Sequence, residues 1–305
     1  MIDYAHLKTI LAVEREGSYE AAARKLNVTA TAVSRRVRAM ENLLGVVLVN
    51  REGRARPTET GYRVCRFAEA NEHSLRELLR AFSVDVSDDE MPLIRVVVNH
   101  DSLATWFVEV LEQDANSDAP RLYELIVCDP DRALDYVRDG HASTAISSAP
   151  EPMHGHSSRF LGAQTYRAVA SHDFSRRQFP DGPKSDRLHA APALGLAKDD
   201  PLPERWLARA FEEPPEVQLH AVPCGLSILE ACRRGVGWAM IPSQLADPLL
   251  RANELSELQP GTSVDRLLYW HFSAMTEKAI LPVTRLVMAA AIRHLGQSMR
   301  KGGPP

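Results

Sequence analysis

Within "TATAVSRRVRAMENLLG", residues 29–45, Thr31, Ser34, Arg35 and Arg38 are residue types that read nucleic acid. An arginine donates two bonds to a guanine edge, and serine or threonine hydroxyls bond phosphates or bases. They can act together only from one face of a helix, and the apolar residues around them fix that face. Val33, Val37, Met40 and Leu44 follow a 4-3-4 rhythm and are expected to point inward. At about 100° per residue, Thr31, Arg35, Arg38 and Asn42 then project outward, with Ser34 beside them. Thr29 is the expected N-cap and Gly45 the stop.

Just upstream, Tyr19, Ala22, Ala23 and Leu26 recur at i, i+3, i+4 and i+7, which predicts a short helix capped by Ser18. Only "NVT" separates the two. Two short helices in such tight sequence, the second polar and cationic outside, predict a helix-turn-helix. "VVLVNREGRARPTETG" adds a short apolar strand and a turn at Glu52-Gly53. Its Arg51, Arg54 and Arg56 suit a β-wing that straddles a phosphate backbone. The competing reading of Arg35, Arg36 and Arg38 is a solvated charged face. Helix spacing, turn and basic wing together favour DNA contact by Thr29, Thr31, Ser34, Arg35, Arg38, Arg51, Arg54 and Arg56.

From Gly61 onward, Val64, Ala68, Asn71, Leu75, Leu78 and Phe82 alternate steps of three and four. That period of 3.5 predicts a helix paired with a partner helix, Asn71 fixing its register. Packing of this helix on its own domain is the alternative. A dimer would present two recognition helices to two half-sites, which asks for near-palindromic double-stranded DNA.

The 305 residues have room for two or three domains, and 45% hydrophobic with 25% charged residues is an ordinary globular composition. Residues 1–82 carry 14 Lys/Arg against 10 Asp/Glu, and residues 83–305 carry 22 against 30. A basic head on an acidic body fits a chain whose head alone meets a polyanion. No run of about 18 apolar residues offers a membrane span. "MIDYAHLKTI" lacks a leader pattern, so a cytoplasmic chain with no membrane partner is expected. Cys65, Cys128, Cys224 and Cys232 form neither a CxxC pair nor zinc-like spacing, so reduced thiols and no metal or cofactor are expected.

After an acidic hinge, "SVDVSDDEMP", strands and helices alternate. "LIRVVVN", "RLYELIV" and "ASTAISS" predict strands, with helices over "SLATWFVEVLEQ" and "DRALDYVRDG". "YRAVAS", "APALGLA", "EVQLHAV", "GWAMIP" and "DRLLYWHF" follow as strands. "ERWLARAF", "LSILEACRRG" and "ILPVTRLVMAAAIRHL" predict further helices, and "MHGHSS" a loop. Such alternation predicts parallel βαβ units in an open α/β sheet. Ligands then lie beyond the carboxyl ends of strands, against helix N-termini. This rule selects Asp101 and Ser102, with Ser102 as a helix cap able to hold a carboxylate, then Cys128, Asp129, Ser147 and Cys224.

With these motifs assembled, the chain resembles LysR-type transcriptional regulators. "GSYEAAARKLNVTATAVSRRVRAMENLLG", "VLVNR" and "RPTETG" are similar to that family's most recognisable segment, and the likeness covers nearly the whole chain. "VNHDSLATWF", "RRGVGWAMIP" and "LLYWHF" most resemble its LysG/ArgP-like branch, the regulators of basic amino-acid export. The resemblance implies a winged helix-turn-helix at 1–58 and a linker helix at 59–82. It implies a hinge at 83–92 and, over 93–300, a two-lobed α/β domain of the periplasmic-binding-protein type. Lobe I would hold about 93–162 and 264–300 and lobe II about 163–263, with crossings near Gly162 and Ser263. It also implies tetramers, contact with RNA polymerase, and an exporter gene as target.

Asp101, Ser102, Thr105 and Trp106 match the branch's effector pattern, Asp129 the middle of its acidic triplet and Ser147 its Ser/Thr. Cys128 and Pro130 replace the flanking acids, Leu226 a glutamate, Cys224 a Ser/Thr and His100 an alanine. Ala30 stands for a glutamine of the recognition helix. The effector site therefore looks rebuilt for a less cationic amino acid, although other acids such as Asp131 could come into reach. A metal- or thiol-responsive site at His100, Cys128 and Cys224 is the alternative. An α/β enzyme using His100, Asp101 and Ser102 and a nonspecific DNA-compacting protein are less favoured.

Overall fold

The computed structural model describes residues 2–50, 54–81 and 92–296, without the side chains of 73, 74, 76–81 and 275. Arg51, the Glu52-Gly53 turn, Phe82, the hinge at 83–91, the Leu78 side chain and the tail after 296 lie outside it.

The head opens with α1 (Tyr4–Glu16), a helix not expected from the sequence patterns, held by a reciprocal Asp3–His6 capping box. α2 (Tyr19–Lys25) and α3 (Ala30–Leu44) start where expected. The Ser18 hydroxyl accepts from the Ala21 amide and Thr29 from Ala32. Gly45 ends α3 in the left-handed conformation. Val33, Val37 and Met40 pack with Ile10, Val13 and Ala22 in one core, whereas Leu44, in the last turn, is 42% exposed. β1 (Val49–Asn50) and β2 (Arg56–Pro57) pair antiparallel as the wing.

α4 (Glu59–Ala81) follows. Its expected partner seam needs correction: Ala68 is 1% exposed, and with Cys65 and Val64 it packs into the head's own core. Asn71 donates to the Phe67 carbonyl in the same helix, and Phe67 is exposed. Steps of three and four mark an apolar face but not whose core it meets.

The body begins with β3 (Leu93–Val98), α5 (His100–Ser102), a π-helical turn (Leu103–Phe107) and α6 (Val108–Ala115). β4 (Leu122–Val127), α7 (Ala133–Arg138), β5 (Thr144–Ser147) and β6 (His156–Ser171) come next. Then follow α8 (His172–Gln178), α9 (Ser185–Ala190), β7 (Ala193–Gly195), α10 (Pro201–Ala210) and β8 (Leu219–Ala221). α11 (Gly225–Arg233), β9 (Trp238–Pro242), α12 (Ser243–Arg251), β10 (Leu255–Glu257), β11 (Val264–Ser273) and α13 (Glu277–His294) complete it.

The strands form one nine-stranded sheet in the order β4-β3-β5-β11-β6-β9-β7-β8, with β10 beside β6. β3 is parallel to β4 and β5, and β7 to β8 and β9. The sheet is mixed, because β6 and β11 run antiparallel between these two parallel groups. Each group forms a lobe with its own core, one around Trp106, Phe107, Trp270 and Val283, the other around Tyr166, Trp206 and Trp238. The chain crosses between lobes inside strands, not in loops. β6 passes through Gly162, whose φ of 141° only glycine adopts readily. β11 passes from the core of one lobe at Val264 to that of the other at Leu268, beside a bulge at Leu161 of β6. β6 also absorbs His156, the middle of the expected "MHGHSS" loop.

Arg95 of β3 joins head to body. It meets Glu14 of α1 at 2.5 Å, Glu69 of α4 at 3.3 Å and Glu124 of β4 at 2.7 Å. Beside it Arg66 of α4 donates to the carbonyls of Val137 and Ala142. Gly140 lies so near that a β-carbon there would stand 2.7 Å from Tyr62.

Candidate nucleic-acid interface and effector cleft

Because α3 buries Val33, Val37 and Met40, its other face carries Thr31, Arg35 and Arg38 into solvent. Thr31, Ser34 and Arg38 line a groove of about 570 Å3 together with Ser18, Tyr19, Glu20, Ala30 and Ala55. Among the described residues neither Arg35 nor Arg38 has a carboxylate partner. Arg36 turns back to the Thr9 hydroxyl at 3.3 Å. Thr29 spends its side chain on the helix cap. Arg54 and Arg56 are exposed on the wing. Arg54 lies against Gly17, where a β-carbon would collide with its guanidinium, and the Ala55 amide donates to the Gly17 carbonyl. The wing is thereby fixed to the α1–α2 turn.

In the body, the first strand ends at Asn99, which caps the helical run that follows. Ser102, expected as the cap, lies one turn inside. Asn99 is 3% exposed and neither polar atom of its amide has a partner; the buried Ser102 hydroxyl has none either. Asp101 accepts a 2.6 Å bond from the Tyr166 hydroxyl of the other lobe. Burial raises its pKa, and the Tyr166 bond works against that rise. Gly225, first residue of α11, faces it: a β-carbon there would be 3.6 Å from the Asp101 Oδ1. The Thr105 hydroxyl donates to the Asp101 carbonyl at 2.6 Å. The gap between the lobes encloses about 20 Å3, room for roughly one water. Its walls are Asp101, Ala104, Gly195, Asp200 and Gly225, with apolar side chains that include Leu194, Ile228, Met240 and Leu245.

Several expected effector residues stand elsewhere. Trp106 is wholly buried in the core of its lobe, since the π turn brings it inward beside Phe107. Cys128 packs against the cluster of Val97, Ala133 and Val137, and burial pushes its thiol up to about 11. Ser147 is buried and accepts from the Ala149 amide at 3.0 Å. Leu226 is 56% exposed, and Cys224, before α11, is exposed too. This placement does not favour the metal or thiol reading, since Cys128 packs in a core while Cys224 stands exposed. His100, Asp101 and Ser102 lie on one helical turn rather than an extended strand, and no hydrogen bond links them as a relay.

One residue of the cleft region was missed. Arg266 of β11 is 4% exposed, and its Nη2 lies 2.8 Å from both Asp129 Oδ1 and Asp131 Oδ2. Burial opposes its charge, but the two carboxylates more than offset this and raise its pKa. Asp131 also accepts from the Ser148 hydroxyl and has Arg205 at 3.9 Å. The sequence did hold a signal. Val264, Arg266 and Leu268 alternate on the buried face of β11, so an arginine occupies an inward register position. Tyr166 and Asn99 gave none.

Comparison with known proteins agrees with this architecture. Residues 4–62 match the bacterial regulatory helix-turn-helix family of the lysR type, and 89–295 match the LysR substrate binding domain. The chain is 34% identical over 298 residues to the HTH-type transcriptional regulator ArgP of Pectobacterium carotovorum, covering 97% of this chain and 99% of that one. Among solved structures, ArgP from Mycobacterium tuberculosis is similar at TM-score 0.83 and 31% identity, covering 98% of this chain and all of that one. Full-length LysG of Corynebacterium glutamicum with bound effector arginine is similar at TM-score 0.74 and 28% identity, covering 97% and 100%. No helix among the described residues is long and apolar enough to cross a membrane. A helix-turn-helix head with its cationic face free, joined to a two-lobed α/β body, thus belongs to the LysR family: the chain is a DNA-binding transcriptional regulator with an effector-binding domain, not an enzyme.

Proposed function

We propose that this regulator reads near-palindromic DNA as a homodimer and is switched by an amino acid or related metabolite held between its lobes. The DNA contacts would be Thr31, Ser34 and Arg38 in the groove, Arg35 beside it, and Arg54 and Arg56 on the wing. The exposed arginines without carboxylate partners support this set. Dimerisation would use the side of α4 that carries Phe67, since Val64 and Ala68 serve the head. Pairing of dimers into tetramers, a cytoplasmic setting and contact with RNA polymerase belong to the same reading.

The observation that carries the effector site is the set of unpartnered buried polar groups at one helix start. Asn99 and Ser102 offer hydrogen bonds without takers, and the helical run 100–115 presents its free amides there. That suits a carboxylate, while Asp101 opposite Gly225 suits an ammonium. The arginine bound to LysG supports the ligand class. Closure on such a ligand would alter the dimers' seating on DNA, and DNA of the preferred geometry would raise effector affinity by the same factor. The test is isothermal calorimetry of full-length protein with single amino acids, beside Ser102→Ala. We expect Ser102→Ala to weaken effector binding while operator binding in gel shifts stays intact. Unchanged effector affinity in that variant would place the ligand elsewhere.

A further inference from the structure

We propose that Arg266 is a resident counter-cation: its guanidinium fills the acidic subsite made by Asp129 and Asp131. The cleft then takes an amino acid with an uncharged side chain and turns away lysine- or arginine-like ligands. This rests on the effector reading above and names its ligand class.

Asp129 and Asp131 do not line the gap itself; they hold Arg266, whose charge acts on Asp101 and Tyr166 there. They are the acids that a basic side chain reaching past the gap would seek. Each already lies 2.8 Å from the same Arg266 nitrogen, and Arg205 stands 3.9 Å from Asp131. A second cation would have to displace a guanidinium tethered to β11, whose effective concentration no free ligand matches. Arg266 is not a surface ion pair, for its side chain is more than nine-tenths buried and its Nε has no acceptor. A guanidinium with one nitrogen bound to acids and a buried N–H to spare attracts a further anionic oxygen, such as a carboxylate, not a cation. Asp101 is different. Its Oδ2 accepts from the uncharged Tyr166 hydroxyl, and it borders the gap, so one ammonium has a place there. Around it the walls are largely apolar, including Leu194, Ile228 and Met240. Asp200, the other acid of the wall, is held by the Leu196 and Leu202 amides as the cap of α10, which leaves Asp101 for one ammonium and describes a small neutral amino acid.

The experiment uses the full chain, wild type and Arg266→Ala, in thermal-shift and calorimetric titrations. The probes are arginine, lysine, alanine, serine, valine, leucine and methylguanidinium. We expect wild type to respond to an uncharged amino acid and not to arginine, lysine or methylguanidinium. Arg266→Ala should take up methylguanidinium and bind arginine at least about tenfold more tightly than wild type. Wild type that binds arginine or lysine, with no gain in the variant, overturns the proposal and leaves the amino-acid reading standing. Uptake of methylguanidinium by the variant, with no amino acid bound by wild type, upholds the subsite and removes the amino-acid reading. If Arg266→Ala does not fold, Arg266→Gln carries the same test. It keeps most of the length without the charge, and failure to gain arginine binding again overturns the proposal.

Discussion

Arg95, mostly buried, and Arg266, fully buried, are both guanidiniums held by several carboxylates, yet they sit in different settings. Around Arg95 the acids come from α1, α4 and β4, and Glu14 is only 7% exposed. Around Arg266 they come from one loop, with Asp129 38% and Asp131 43% exposed. The first arrangement holds domains together, because Glu14 has little water to fall back on, although Glu69 is 27% and Glu124 54% exposed. The second leaves acids that water can reach, so losing the arginine costs them less. The difference lies in one deeply buried acid, Glu14, more than in distance.

The comparison can be broken most severely at Arg95. Arg95→Ala strands Glu14 and Glu69 at the head–body junction and should cost about 3–5 kcal/mol in denaturant unfolding. A loss no greater than that of Arg266→Ala would erase the distinction. Arg38→Ala, far from both arginines, should weaken a specific operator by about 1–3 kcal/mol in gel shifts and leave unfolding unchanged. Arg266→Ala should lower stability by about 1–2 kcal/mol, since its acids regain water.

A smaller effect sharpens the contrast through pH. His271 is buried with Nε2 2.9 Å from the Ala149 carbonyl, and burial holds its pKa below the ordinary 6.5. The unfolded chain therefore takes up this proton first as pH falls. Its share of stability is full above 6.5 and is lost as pH drops from there toward the lowered value. Unfolding midpoints measured across that window should fall in wild type and fall less in His271→Gln. The junction, whose cation is an arginine, should not add to that slope.

Much of the head was legible because one face of α3 carries all its meaning: Val33, Val37 and Met40 point in, so Arg35 and Arg38 point out. The seam on α4 was legible as apolar but not as to its partner, since Val64 and Ala68 repeat identically whether the neighbour is α1 or another chain. In the cleft, Asp101 followed from its place after a strand. Trp106 misled because a π turn shifts helical phase by a residue, and no side-chain pattern announces that insertion. Cys128 misled because the residues flanking a strand end alternate between cleft and core. Arg266 stood in an inward position of "VDRLLYW", and only the long-range approach of Asp129 and Asp131 gives that oddity its meaning.

The long pairing of β6 with β11, interrupted by one bulge, has a mechanical consequence. Ten residues on each strand are matched from Val264 with Tyr166 to Ser273 with His156, so the lobes are coupled through a ribbon. Such a ribbon yields by torsion and resists folding back like a gate. The easiest place to wring it is Gly162, whose partner Leu268 lies two residues along β11 from Arg266. Any torque delivered by a ligand is therefore registered first at that guanidinium's grip, before it reaches the distant head.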